Sequence, residues 1–252
     1  MPFLSYSVYV GNLNTCNFLV TLMDIYKYVF RYRSVLFIAI YVVGFVISQG
    51  PSLTAYLFAL FHLSLMQVRI FVVACSIIGV MGFLLRVWGS GYLGSPIVHS
   101  RLIHGESLIT CGPYAHVRHP LYLGSLLMII GFLPVLPLFG FIFIVVAVGG
   151  LVYLLIAAEE RVIMSGHEEE YLKYRSAVRA IIPRFRGLTC NSAIKFNLRK
   201  GLESEILYIF ILSPLIGGVF LSSIAFLVSF FSLLMIGLVL FLILRSSRLR
   251  SH

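Results

Sequence analysis

A chain of 252 residues with 60% apolar and 11% charged side chains, and a mean hydropathy of +1.01, falls well short of the charged content of about 25% usual for soluble domains. Residues 34–68, 70–85, 121–158 and 206–244 contain no Asp, Glu, Lys or Arg. That excludes a water-soluble helical protein, whose helices need charged outer faces. The net charge of +10 reads as topology, not as a nucleic-acid surface, because 15 of the 19 Lys and Arg lie in 86–118, 161–200 and 245–250 and an excess of basic loops marks the cytoplasmic side.

Residues 1–33 form a polar–aromatic leader. Asp24, Lys27 and Arg31 interrupt it, so it is not a signal peptide. The window 34–68 breaks at Gly50–Pro51, a turn signal that predicts two short helices or one broken one. The window 70–85 predicts a single span with its ends snorkelling. Two spans before Arg86 would put the N-terminal cations inside and three would put them outside; both stay open. Residues 92–118, rich in Gly, Pro and His, are too polar to cross a bilayer.

The window 121–158 carries Pro134 and Pro137 at its middle, which predicts a helical hairpin. Arms of about nineteen residues would each match a hydrocarbon layer roughly 30 Å thick. Beyond it, 159–200 is hydrophilic with an interfacial helix over 168–178, and 206–244 predicts two further spans. The four cysteines, Cys16, Cys75, Cys111 and Cys190, have neither metal-ligand nor disulfide-framework spacing, so no metal is expected.

The expected fold is therefore all-α: a polytopic transmembrane helical bundle with a hairpin core. Its parts are a leader (1–33), N-terminal spans (34–85), a core (86–186), a basic linker (187–204) and a C-terminal helix pair with a basic tail (205–252).

Chemistry concentrates where the hairpin starts and ends. Arg118–His119–Pro120 precedes it and Glu159–Glu160 follows it, so a fold-back brings cationic and acidic pairs to one membrane face. Pro120 suits a first helical turn and biases His119 towards extended backbone. Taken singly, each charge reads as a snorkelling or solvated helix end. The stretch 108–124, LITCGPYAHVRHPLYLG, adds a Gly112–Pro113 turn, the aromatic hydroxyls of Tyr114 and Tyr122, and Gly124, where backbone can approach closely.

These residues resemble the isoprenylcysteine carboxyl methyltransferase family, part of a wider group that includes phospholipid N-methyltransferases. The resemblance rests on Gly112, Tyr114, Arg118–His119–Pro120, Tyr122 and Gly124, then Glu159–Glu160, Glu169–Glu170–Tyr171, Tyr174, Val178 and Pro183. It extends upstream to Leu85–Arg86–Val87–Trp88 and Tyr92–Leu93–Gly94. It implies a membrane enzyme that binds S-adenosylmethionine near the cytosolic face of a cell membrane beneath a covering segment, with a lipophilic or lipidated substrate arriving from the lipid. Tyr114, Arg118, His119, Tyr122, Gly124, Glu159 and Glu160 would line the cofactor pocket. Arg86 and His119 would serve catalysis, Arg86 by positioning a substrate carboxylate.

The lid departs from the family pattern. Ala177 replaces an expected arginine, Arg179 stands where proline is usual, and His167–Glu168 replaces Phe–Gly. A carboxyl O-methyltransferase is the leading expectation, since a carboxylate needs no general base. Amino-lipid N-methylation and a non-catalytic membrane scaffold are the alternatives.

Overall fold

The computed structural model describes residues 29–30, 32–48, 50–93, 109–134, 136–166, 168–189 and 195–206, with 208, 232 and 236. The expected spans within 206–244, and Cys16, Cys190, His99 and His104, lie almost wholly or entirely outside them. The described residues are helical apart from turns, short straps and one isolated bridge between Ser52 and Pro137. The helices are α1 (Arg33–Ile47), α2 (Leu53–Phe61), α3 (Leu65–Leu93), α4 (Pro120–Phe132), α5 (Leu138–Gly166), α6 (Glu168–Ala177) and α7 (Leu198–Ser204), with a 3-10 turn over Gly112–Ala115.

Two helices are long and apolar enough to cross a membrane, Leu65–Leu93 and Leu138–Met164, and only 17% of the most apolar window of the first is buried. Its exposed stripe, Met66, Ile70, Val73, Ile77, Met81, Leu84 and Trp88, recurs every three to four residues. In a soluble protein that stripe would face the core; here it faces outward, as lipid contact requires. The opposite face is small: Cys75, Gly79, Gly82, Gly89 and Ser90. A Cβ at Gly82 would lie 2.6 Å from the Gly124 carbonyl oxygen, so α3 and α4 touch backbone to backbone, the small-residue packing that stands in for hydrophobic drive in lipid. The seam between α1 and α5 is alike, since a Cβ at Gly140 would sit 2.7 Å from the Gly44 carbonyl. Between the seams lies an apolar core of Phe37, Met128, Ile129, Phe132, Leu136, Ile144, Val148, Val152 and Leu155.

The break at Gly50–Pro51 is present, with Gly50 at φ 105° and Ser52 capping α2. The span expected over 70–85 is longer, running unbroken from Leu65 to Leu93 and carrying Arg69 and Arg86 within it. The hairpin is also present, but its arms are unequal: α4 has 13 residues and α5 has 29. The proline turn lies nearer the start of the window, and α5 continues past Ala158 through the two glutamates to Gly166. The tip docks on the start of α2, where Thr54 Oγ1 donates to the Pro134 carbonyl at 2.7 Å and Leu53 N–H to the Leu136 carbonyl at 3.0 Å. The tip's carbonyls are thus satisfied by protein, without water. A further correction concerns the cysteines: Cys111 is disulfide-bonded, whereas Cys75 is free.

Candidate active site

The two ends of the hairpin converge. His119, with φ −123° and ψ 67°, stands before Pro120 at the start of α4, and Pro120 keeps it out of the helical region. Its ring lies between two consecutive glutamates of α5, Nδ1 at 3.4 Å from Glu159 Oε2 and Nε2 at 3.1 Å from Glu160 Oε1. Adjacent helical residues diverge by about 100°, so the two carboxylates gather different partners. Glu159 accepts the Tyr122 hydroxyl at 2.6 Å. Glu160 meets Arg118 Nη1 at 3.0 Å and, from α6, Arg175 Nε at 3.9 Å. With its side chain 24% exposed against 12% for Glu160, Glu159 is the open carboxylate and Glu160 the anchored one.

Burial alone would lower the His119 pKa, but the hydrogen bonds and charges of Glu159 and Glu160 outweigh it and raise the pKa above its ordinary value. Both ring nitrogens face carboxylates, so neither is open to a reacting group.

A strap after α6 laces the motif from outside. Arg118 and His119 N–H donate to the carbonyls of Arg179 and Ala180, both at 3.0 Å, while Arg184 and Leu188 N–H donate back to His116 at 2.9 Å and Ala115 at 3.2 Å. Tyr171, Tyr174 and Val178 are buried beneath it. The Tyr174 hydroxyl donates to the Tyr114 carbonyl at 2.6 Å. The lid departures become intelligible at this point. Arg179 contributes its carbonyl with its side chain exposed, Ala177 accepts from Arg184 Nη1 at 2.7 Å, and Arg175 brings a cation towards Glu160. The half-buried His116 pairs its Nδ1 with the Arg184 carbonyl at 2.9 Å.

Two buried polar atoms remain without partners among the described residues: the Tyr114 hydroxyl and Arg118 Nε. Burial, then the charge of Glu159 and, after it, Tyr174 and Glu205, pushes the Tyr114 phenol well above its ordinary range. The neutral phenol can donate and accept, whereas Arg118 Nε only donates, and leaving a buried polar atom unsatisfied costs about 1–3 kcal/mol.

Arg86 belongs to a second cluster. Its Nε lies 2.7 Å from Glu205 Oε2, and its Nη1 donates to the Leu121 carbonyl at 2.9 Å and Ser125 Oγ at 2.6 Å. Ser90 donates to the other Glu205 oxygen, and the Tyr208 ring centroid lies 3.9 Å from the guanidinium carbon. The stretch expected as a basic linker thus holds α7, which delivers Glu205. Sequence reasoning missed this residue, and its one signal was an isolated acid at the mouth of a charge-free window. Gly124 is placed against α3, where an added Cβ would meet Arg86 Cγ and the Gly82 carbonyl. Among the described residues no group of His, Cys, Asp and Glu could hold a metal ion.

Two long apolar helices with outward apolar stripes and a set of charges gathered at the mouth of the hairpin fit a helical membrane protein. Residues 72–165, just over a third of the chain, match the model of the isoprenylcysteine carboxyl methyltransferase (ICMT) family, and the resemblance read from the motifs is to that family. Over that segment the chain is similar to the membrane methyltransferases of the ICMT type. No curated protein and no solved structure matches the chain.

Proposed function

We propose that the protein transfers a methyl group from S-adenosylmethionine to the carboxylate of a lipophilic or lipidated acceptor, at the cytoplasmic face of a cell membrane. The observation that carries this reading is the meeting of His119 and Arg118 with Glu159 and Glu160, from 40 residues away in sequence, at 3.0 to 3.4 Å. The unpartnered Tyr114 hydroxyl and Arg118 Nε lie in the same region.

These groups suit the cofactor. Open Glu159 would take its ammonium or ribose hydroxyls, and Tyr114 and Arg118 would donate to its carboxylate or ring nitrogens. The Tyr122 and Tyr114 rings offer faces that attract a sulfonium. When bound, the cofactor supplies an electrophilic methyl carbon. The protein's contribution is then to orient and to exclude water, which accounts for much of catalysis in displacements of this kind. His119 clamps the two carboxylates, Arg118 fixes Glu160, and the strap covers the motif.

A carboxylate acceptor is favoured over an amine because both His119 nitrogens are occupied. An amine must lose a proton to become nucleophilic, and an imidazole engaged by a carboxylate at each nitrogen offers no open site to take it.

The test is equilibrium binding of S-adenosylhomocysteine to the purified full-length protein in nanodiscs. Glu159→Gln, Tyr114→Phe and His119→Gln should each weaken it about tenfold or more, the effect of losing one hydrogen bond to a charged group. Affinity unchanged in all three removes the site assignment. A labelled-methyl assay against membrane extracts should give an alkali-labile ester; an alkali-stable product only would favour the amine.

A further inference from the structure

The charges of the two clusters pair off. Arg86, Arg118 and, when protonated, His119 face Glu159, Glu160 and Glu205, and four ion-pair contacts between them measure 2.7 to 3.4 Å, with the half-exposed Arg175 3.9 Å from Glu160. Glu205 completes this balance and comes from outside the matched family segment of 72–165. Its residue is fully buried, with one oxygen on Arg86 and the other on Ser90.

The segment that carries Glu205 is clamped in place. Asn197 N–H donates to the Gly91 carbonyl at 3.0 Å, and a Cβ at Gly201 would sit 2.5 Å from the Val87 carbonyl oxygen. Two main chains are therefore in contact just where Arg86 and Ser90 face Glu205. One residue before Ser90, a Cβ at Gly89 would lie 3.5 Å from the orphan Tyr114 hydroxyl, so the second cluster adjoins the first.

We propose that Glu205 is the fixed counter-ion of Arg86, a specificity-determining residue that leaves the acceptor's carboxylate to be matched by the cofactor's sulfonium instead of by a protein cation. The inference rests on the methyl-transfer reading above. In that reaction the C–S bond breaks, its electron pair stays on sulfur, and a C–O bond forms to the carboxylate. One positive and one negative charge vanish together. A protein cation dedicated to the acceptor would be left buried and unpaired beside the neutral ester, a state that costs several kcal/mol. A site whose own charges cancel holds the reactant ion pair and releases the neutral products without that penalty. The acid should then bind well only beside a positively charged cofactor.

The test uses the full chain in nanodiscs and a non-reactive pair of cofactor analogues: sinefungin, with an ammonium near the sulfonium position, and S-adenosylhomocysteine, neutral there. The probe is an S-farnesyl thioether carboxylic acid, its affinity read by saturation-transfer NMR titration. In the wild type the acid should bind at least about tenfold tighter with sinefungin, the worth of one charge-assisted contact. Glu205→Gln, which frees the Arg86 charge, should tighten binding with S-adenosylhomocysteine and shrink the ratio below about threefold on the same scale. The double variant Arg86→Gln/Glu205→Gln restores the balance, leaves no buried charge unpaired if the single variant fails to fold, and should recover the wild-type ratio.

A wild-type ratio near one, acid binding with neither analogue, an unchanged ratio in Glu205→Gln, or loss of acid binding in the double variant would each overturn the proposal. The last would make Arg86 itself the acceptor's partner. A wild type that binds neither analogue refutes the methyl-transfer reading instead.

Discussion

Replacing Gly82 by alanine tests the helix seam on which both charge clusters depend. The added Cβ would lie 2.6 Å from the Gly124 carbonyl oxygen, 2.8 Å from Leu127 Cβ and 2.9 Å from Met128 N. None of these is the flexible end of a side chain, so α3 and α4 must part by about 0.5–1 Å, an overpacking cost of about 1–3 kcal/mol. One turn along, Arg86 Nη1 holds the Leu121 carbonyl at 2.9 Å and Ser125 at 2.6 Å, and the same separation takes these bonds towards the limit of useful length. Losing one adds about 1.5–3 kcal/mol. At about 2–4 °C per kcal/mol for a chain of this size, Gly82→Ala should lower the Tm in detergent by about 5–24 °C. Gly150→Ala is the control: it lies in α5 with nothing within 4 Å of an added Cβ, so helix propensity makes it neutral or slightly stabilising. Equal Tm values for the two variants would refute the backbone contact between α3 and α4.

Three further outcomes follow from single contacts. The His119 pKa is raised on folding, so its contribution to stability is complete below about pH 6.5 and is lost as pH rises through the higher folded value; from pH 6 to 9 the wild-type Tm should fall more steeply than that of His119→Gln. Tyr174→Phe removes the 2.6 Å bond to the Tyr114 carbonyl, which should cost about 1–3 kcal/mol and speed proteolytic cleavage in the strap over 178–188. Thr54→Val preserves shape but leaves the Pro134 carbonyl without its 2.7 Å donor, so a loss of about 1–3 kcal/mol is expected, with Thr54→Ser close to wild type.

The helical bundle and the hairpin were legible because their signals are local. Charge-free windows set the spans, and Pro134 and Pro137 set the reversal. The convergence of Arg118 and His119 with Glu159 and Glu160 followed from counting along the fold-back. The docking of the tip on α2 was not legible, because Leu53 and Thr54 meet it from some 80 residues away. Glu205 was hidden for the same reason: it meets Arg86 across 119 residues, and no periodicity encodes that pairing. Gly124 was recognised as a point of close approach, but the sequence could not reveal that the neighbour is α3. The disulfide at Cys111 likewise has no sequence spacing to announce it.

The strap is tied to the motif mainly through amides and carbonyls, with the His116 ring on the Arg184 carbonyl as a side-chain tie. At position 179 the knot uses only the carbonyl oxygen, an atom that proline possesses as well as arginine, so the departure there leaves the fastening intact. Chemical variety in this stretch is therefore tolerated wherever an oxygen is the tether. Only at 184 and 188, where the N–H itself is the tether, would proline untie it.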